Sequence, residues 1–319
     1  MLEFSSTTTA SYEKSTLYVY IVEGLLVILV NMFLAVRLFS NRYLRAQKEY
    51  VVIGSCIVFD IIFGLTYFSA GLARLIISLK YEYFPLVSMF ECFSTIHIQL
   101  FVVITIVAGL QLLATALDRF FCIFLPITYI KRHVEYSYCI MVVPYLLIIP
   151  FWIPGAIESY ENRDVKQFSM ICRLNQSLPV FWYTCYRTLR ITSTLLCIFI
   201  YIPIFTKIFK SIHKRKKLVP GTSTKNNGRL LSMTKTVALI TGSTLTFFTI
   251  PDLIISIYPI YDSNFFYLMN LQKGLVNILI FMLTQKTLRS LMFPVKNGNV
   301  TLDNYSSRKI TPTVLVHVI

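Results

Sequence analysis

Charged and amide side chains interrupt the apolar stretches of this 319-residue sequence. Four of them have mainly apolar neighbours: Asn31, Asp60, Lys273 and Asn277. A charged side chain at the centre of a membrane helix costs about 2.5–3.5 kcal/mol on insertion scales, so such residues usually satisfy one another and mark a function. We therefore expect Asn31, Asp60 and Asn277 to converge inside a helix bundle.

Two interpretations of Lys273 follow from its position. Lys273 comes one helical turn before Asn277, so both side chains lie on the same face of a helix. In one interpretation its ammonium pairs with Asp60. In the other it extends outward to water, because a turn of helix rises only about 6 Å.

These residues lie on seven stretches that are each long and apolar enough for a membrane helix, which needs about 20 residues. The chain is 55% hydrophobic and only 14% charged, whereas soluble domains average about 25% charged residues. The stretches are 17–39, 50–73, 93–117, 136–157, 180–208, 236–260 and 265–283. We expect an all-α integral membrane domain at 17–283, an extracellular segment at 1–16 and a cytoplasmic tail at 284–319. A short amphipathic helix is expected at 284–293.

The basic residues predict an orientation for these stretches. Most Lys and Arg lie on the side that holds the C-terminus and the loops after stretches one, three and five, whereas most acidic residues lie on the other side. Loops rich in Lys and Arg stay in the cytoplasm, so the N-terminus is expected outside. The net charge of +15 is also typical of proteins that bind nucleic acids. Topology and contact with membrane lipids explain it better, because the basic run 214–217 directly follows an apolar stretch.

Two of the seven cysteines are expected on the oxidising outer side. Cys92 lies at the outer start of the third stretch and Cys172 in the loop before the fifth, so we predict a disulfide between them. Asn175 begins an Asn-Gln-Ser sequon in the same loop and is predicted to be glycosylated. No His or Cys spacing matches a zinc site, and no metal is expected.

The segment 118–129 carries the clearest family pattern. Asp118, Arg119 and Phe120, at the inner end of the third stretch, resemble the Asp-Arg-Tyr motif of rhodopsin-like G-protein-coupled receptors. Pro126 and Tyr129 follow at the spacing of that family. Asn31, Asp60, Pro251 and Asn277 stand in the order that the family shows along its helices.

The chain also departs from the family pattern. An Ile follows Asn277 where the family usually has Pro, Phe281 replaces the usual Tyr, and Thr249 replaces the usual Trp before Pro251. With its Phe- and Tyr-rich stretches, the chain resembles the nematode serpentine chemoreceptor families.

The resemblance implies a plasma-membrane receptor that converts the binding of an extracellular small molecule into activation of a heterotrimeric G protein. Asp118, Arg119, Phe120 and Asn277 would form the switch, with Arg119 held by Asp118 until activation; the alternative is a static ion pair. Related receptors often hold a sodium ion beside the acid matched by Asp60, and here Lys273 would replace that ion.

The expected ligand pocket contains Phe101 and Thr105 on the third stretch, Arg187 and Arg190 on the fifth, and Asp252 on the sixth. Phe101 stands where amine receptors carry an Asp, so an aminergic function is not expected. Arg190 and Asp252 either form a structural salt bridge or bind an ionised ligand.

Other classes of protein fit less well. A seven-span channel or transporter is the alternative, but no internal repeat supports it. No Ser-His-Asp or paired-carboxylate arrangement predicts an enzyme, and no cofactor is expected.

Overall fold

The computed structural model describes residues 6–81, 84–218, 225–257, 263–285 and 289. These residues fold almost entirely into helices, accompanied by one two-stranded sheet. The helices are α1 (Ser6–Ser40), α2 (Arg42–Arg45), α3 (Lys48–Lys80), α4 (Met89–Phe93), α5 (Ile96–Phe124), α6 (Pro126–Lys131), α7 (Glu135–Leu146), α8 (Ile149–Glu161), α9 (Leu174–Ser177), α10 (Val180–Leu218), α11 (Lys225–Thr244), α12 (Ile250–Ile257) and α13 (Ser263–Thr284). The strands are β1 (Leu86–Ser88) and β2 (Lys166–Ser169).

Long apolar helices dominate the fold, as predicted. Six helical segments in the described ranges are long and apolar enough to cross a membrane: Lys14–Ser40, Lys48–Lys80, Ile96–Phe124, Glu135–Glu161, Val180–Lys210 and Thr234–Ile254. The stretch predicted at 265–283 also forms a helix, α13, but its apolar part, Leu268–Thr284, is shorter than the other six. The prediction of a helical protein with long apolar helices is therefore confirmed.

The fourth predicted stretch, 136–157, is divided into two helices. α7 ends at Leu146 and α8 begins at Ile149. Pro150 lies in the first turn of α8 and has no backbone N–H, so it cannot donate the hydrogen bond that would continue α7. Pro is tolerated in a first turn for the same reason, because that N–H would have no intrahelical acceptor.

The sixth predicted stretch, 236–260, contains a π-helical turn at Leu245–Thr249 between α11 and α12. The N–H of Ile250 donates to the carbonyl of Leu245, five residues earlier. Pro251 follows at once and lacks a donor, so the regular α-helical ladder is interrupted at this point. Single π-helical turns inside α-helices are frequent at functional sites.

One end of the bundle, which we call the disulfide end, is closed by β1, β2 and the Cys92–Cys172 disulfide, which confirms that predicted bond. β1 pairs antiparallel with β2, with Leu86 opposite Ser169. A capping box begins α4: Ser88 N–H donates to the Glu91 carboxylate at 2.7 Å, and Glu91 N–H donates to the Ser88 hydroxyl at 3.2 Å. The bond from Ser88 N–H lowers the pKa of Glu91.

α3 reaches further into the disulfide end than predicted, to Lys80 rather than residue 73. The extra turns place Arg74 beneath the loop that carries Cys172. Arg74 donates to the carbonyls of Ile171 and Cys172 at 3.2 and 2.9 Å. These bonds add a polar attachment for the loop beside the disulfide.

Six helices pack into a closed ring. In order around the ring they are α1, α3, α5, α10, α11 and α13, and α13 contacts α1 again. α7 packs against α3 and α5, and only 17% of the apolar window within Glu135–Glu161 is buried. α5 and α10 approach closely at Gly109, where an added Cβ would lie 2.7 Å from the carbonyl oxygen of Arg190.

The other end of the bundle, which we call the Arg119 end, contains the last turn of α5, with α6 immediately after it. The amphipathic helix and the tail predicted after residue 284 lie almost entirely outside the described residues.

Candidate functional site

A polar core lies in the middle of the bundle and consists of Asp60, Lys273, Asn277 and Ser243. Asp60, on α3, is 1% exposed. Lys273 Nζ lies 3.4 Å from Asp60 Oδ1, and Asn277 Nδ2 donates to both carboxylate oxygens at 3.2 and 3.1 Å. The structure therefore contains the inward-facing Lys273, not the outward-facing alternative.

Ser243 extends the polar core to α11. Its hydroxyl donates to Asn277 Oδ1 at 2.9 Å. Asn277 thus donates to α3 with its amide nitrogen and accepts from α11 with its amide oxygen. A rotation of either neighbouring helix would break one of these bonds.

Asn31 does not join the polar core by a hydrogen bond, in contrast to the expected convergence. Its Nδ2 donates to the carbonyl of Val27 at 2.9 Å, and its Oδ1 has no partner. Four residues separate the two positions, so the amide satisfies its donor within its own helix.

Three aromatic rings surround the ammonium of Lys273. Its Nζ lies 4.5 Å from the ring centre of Phe59, 5.4 Å from that of Phe63 and 5.5 Å from that of Phe248. Aromatic faces attract cations within about 6 Å. The rings and Asp60 together replace the water that a buried ammonium has lost.

A second site, the arginine pocket, lies nearer the disulfide end and has a cavity volume of about 30 Å³, enough for about two water molecules. All five predicted pocket residues line it: Phe101, Thr105, Arg187, Arg190 and Asp252. Six further residues complete the lining: Tyr67, Ile104, Leu174, Tyr183, Phe248 and Asn270.

The charged residues of the arginine pocket join α10 to α12. Arg190 Nη2 forms an ion pair with the carboxylate of Asp252. Arg187 Nη2 donates to the backbone carbonyl of Asp252 at 2.6 Å. The structure thus contains the Arg190–Asp252 salt bridge, which was one of the two interpretations open from the sequence.

Phe248 connects the arginine pocket to the polar core. The guanidinium carbon of Arg190 lies 4.9 Å from its ring centre, and Lys273 Nζ lies 5.5 Å from the same centre. The ring belongs to the π-helical turn and is 1% exposed. One buried side chain therefore contacts both Arg190 and Lys273.

At the Arg119 end, Asp118 and Arg119 form an ion pair whose side chains are 0% and 2% exposed. Arg119 Nε, Arg119 Nη1 and Asp118 Oδ1 have no hydrogen-bond partner. Phe120, beside them, stacks on Phe124 with ring centres 4.4 Å apart.

Two tyrosines share this environment. The hydroxyls of Tyr129 and Tyr201 are buried and also lack a partner. Burial raises the pKa of Tyr129, which therefore stays a neutral hydrogen-bonding group. The Arg119 end thus holds several buried polar atoms that a partner could satisfy.

One polar contact was missed from the sequence. Gln272, on α13, donates to both carboxylate oxygens of Glu23, on α1, at 2.9 and 3.0 Å. The signal was present, because Glu23 lies within the first apolar stretch, where a carboxylate requires a partner.

The remaining predicted residues occupy the disulfide end. Asn175 is exposed on α9, and its glycosylation stays a prediction.

Comparison with known proteins identifies no relative: no protein-family model matches the chain, and no curated protein matches it. The likeness to chemoreceptors therefore stays a prediction.

Proposed function

We propose that this chain is a plasma-membrane G-protein-coupled receptor that converts the binding of an extracellular small molecule into activation of a heterotrimeric G protein. Its motifs resemble those of divergent rhodopsin-like receptors, and of the nematode serpentine chemoreceptors in particular. One observation carries the proposal: the buried Arg119 has two unpartnered nitrogen atoms at the end of the bundle opposite the disulfide.

Seven spans and an outer N-terminus are part of the proposal. α13 has 22 residues, which corresponds to about 33 Å of helix, and the hydrocarbon core is about 30 Å thick. Membrane lipid would cover the exposed stripe on α1 formed by Val22, Leu29 and Val36, which recur every seven residues. The disulfide end would face outside, where cysteines are oxidised.

The signal would pass through contacts already described. A ligand in the arginine pocket would alter Arg190, and Phe248 would transmit the change to Lys273. The polar core would then rearrange α11 against α13 through Ser243 and Asn277. Such a rearrangement favours one of two bundle conformations, in which Arg119 leaves Asp118 and donates to an acceptor on the G protein.

The proposal is tested by nucleotide exchange in membranes that contain the full chain and a panel of purified heterotrimeric G proteins. Asp118→Asn weakens the ion pair and is expected to raise basal exchange several-fold. Adding Arg119→Gln to that variant is expected to return exchange to the level of empty membranes. Asp164→Asn changes an exposed carboxylate at the disulfide end and serves as the matched control.

An N-terminal epitope read on unpermeabilised cells checks both orientation and surface expression of every variant. The receptor assignment fails if no G protein responds to Asp118→Asn while the epitope is displayed. It also fails if the epitope is accessible only after permeabilisation. A current across the membrane without nucleotide exchange would favour the channel alternative.

A further inference from the structure

Glu23 is a carboxylate within an apolar helix, and its described partner is a neutral side chain. It lies nine residues after Lys14, where the apolar segment of α1 begins, which corresponds to about 13 Å of helix. Of the residues that the structure describes, only Gln272 donates to this carboxylate, and no Lys or Arg forms an ion pair with it. Charged groups inside a membrane usually pair with one another, so Glu23 lacks the expected opposite charge.

Close packing of α1 on α13 brings Gln272 to this carboxylate. At Gly274 an added Cβ would lie 3.0 Å from the side chain of Val27, so the two helices touch there. Gln272 Nε2 donates to both oxygens of Glu23 at 2.9 and 3.0 Å. Both oxygens accept, as they do in an ionised carboxylate, whereas a carboxylic acid carries an O–H that needs its own acceptor. Because the amide is neutral, the pair retains one negative charge.

The pair opens onto the lateral surface of the bundle. Glu23 and Gln272 are each partly exposed. Leu279 lies seven residues after Gln272, on the same face of α13, and is 59% exposed. Leu26, less than one turn after Glu23 on α1, is 47% exposed. We call the surface formed by these four residues the α1–α13 seam.

The charge of the α1–α13 seam decides what can cover it. Lipid tails offer no donor, and lipid headgroups lie at the membrane surface rather than at the depth of Glu23. A second copy of this chain, related by a two-fold axis, would bring its own Glu23 to the same depth, and the two carboxylates would repel. A Lys or Arg on another membrane helix would supply the opposite charge and charge-assisted hydrogen bonds at that depth.

We propose that the α1–α13 seam binds a membrane-spanning helix of another protein, whose Lys or Arg pairs with Glu23. The exposed leucines of the seam would contact aliphatic side chains on the neighbouring turns of that helix. The inference rests on the membrane spans of the proposed function and requires no G protein.

Energy transfer between the purified full chain and labelled peptides in lipid vesicles tests the inference. The probe is a Leu- and Ala-rich helix of about 23 residues, long enough to span the hydrocarbon. One Lys about nine residues from its end matches the depth of Glu23. Companion peptides carry Gln, Glu or Leu at that position. We expect the Lys peptide to bind at least tenfold more tightly than any companion.

Variants locate the effect. Glu23→Gln keeps an amide beside Gln272 and should remove the preference for the Lys peptide. Glu158→Gln, on α8, changes a carboxylate that also has a neutral partner, Trp182, and should leave the preference intact.

A second pair of variants covers the case in which Glu23→Gln does not fold. Leu26→Trp adds bulk to the α1–α13 seam at an exposed position, and should weaken binding of the Lys peptide at least fivefold. Ile157→Trp, at an exposed position on α8, is its control and should bind like the wild type.

Three results would overturn the inference: equal binding of the Lys and Leu peptides, an undiminished preference for the Lys peptide in Glu23→Gln, or full binding by Leu26→Trp. Energy transfer between two labelled copies of the full chain that is lost in Glu23→Gln would show that a second copy occupies the seam instead. Nucleotide exchange without any peptide preference contradicts this inference alone. A peptide preference without nucleotide exchange contradicts the receptor proposal alone.

Discussion

The guanidinium carbon of Arg190 lies 4.9 Å from the centre of the Phe248 ring, and the ammonium of Lys273 lies 5.5 Å from the same centre. One buried ring thus contacts two cations that belong to different sites. The contact offers a direct physical link between the arginine pocket and the polar core, and its strength can be measured.

Phe248→Leu should destabilise the protein more than the same change at a buried Phe without such contacts. Phe281, 0% exposed in the core near the Arg119 end, is the control. Both changes remove a buried ring, but only the first also removes two cation–π contacts, each worth about 0.5–2 kcal/mol, and a tilted ring contact with Phe63 at 5.5 Å. Denaturant unfolding in detergent should show an extra loss of about 1–2 kcal/mol. Equal losses would show that the contacts contribute nothing.

Lys273→Met should reduce the free energy of unfolding by about 3–5 kcal/mol, because it leaves the Asp60 carboxylate buried without a cation. Adding Asp60→Asn should recover much of that loss, since no unpaired charge remains. Lys131→Met, at an exposed position, should have little effect. A double variant no more stable than Lys273→Met would contradict the pairing.

Sodium should stabilise the protein only when Lys273 is absent. In the wild type the ammonium already occupies the position beside Asp60. Lys273→Asn leaves a carboxylate with amide neighbours, and small oxygen-seeking cations bind such groups. Replacing choline chloride by sodium chloride at constant ionic strength should raise the unfolding temperature of Lys273→Asn alone. The idea is wrong if both proteins respond equally, or if neither responds.

Gly109→Ala and Gly242→Ala should have opposite effects on stability. At Gly109 the new methyl group would lie 2.7 Å from the carbonyl oxygen of Arg190, so α5 and α10 must move apart. At Gly242 nothing lies within 4 Å, and Ala in an exposed helix should add about 0.5–1 kcal/mol. Unfolding temperatures of the two variants check both signs. A stable Gly109→Ala variant would show that the helix contact is looser than described.

Cys92→Ser combined with Cys172→Ser should lower the free energy of unfolding by about 2–4 kcal/mol, since the bond closes a long loop in the unfolded chain. Cys139→Ser removes an exposed free thiol and is the control. Unfolding with and without reductant should distinguish them: reductant destabilises the wild type and the control, and leaves the double variant unchanged. Sensitivity to reductant in the double variant would point to a different disulfide.

The sequence predicted the long helices and the disulfide well because both depend on local or compositional signals. Stretches of about 20 apolar residues must be helical in a membrane, since every backbone group has to be bonded within its own segment. Lys273 and Asn277 were assigned to one face because helical spacing is fixed. The pairing of Lys273 with Asp60 was one of the two interpretations that this spacing left open.

Other features depend on geometry that spacing does not encode. Asn31 was expected to bond across the bundle, but the carbonyl of Val27, four residues earlier, is always within its reach. The Arg190–Asp252 pair requires α10 and α12 to meet at one height, which no local pattern specifies. Glu23 lies within the first apolar stretch, but its place there does not show that its partner is Gln272 on α13.

The contact between the first and last helices of the bundle has a mechanical consequence. When the first and last helices of a bundle are not in contact, the helices on one side can separate while those on the other side stay in place. Here the hydrogen bonds between Glu23 and Gln272 join the first helix of the ring to the last. A tilt of any helix therefore strains its contacts with both neighbouring helices. The displacement of one helix is therefore transmitted around the ring in both directions.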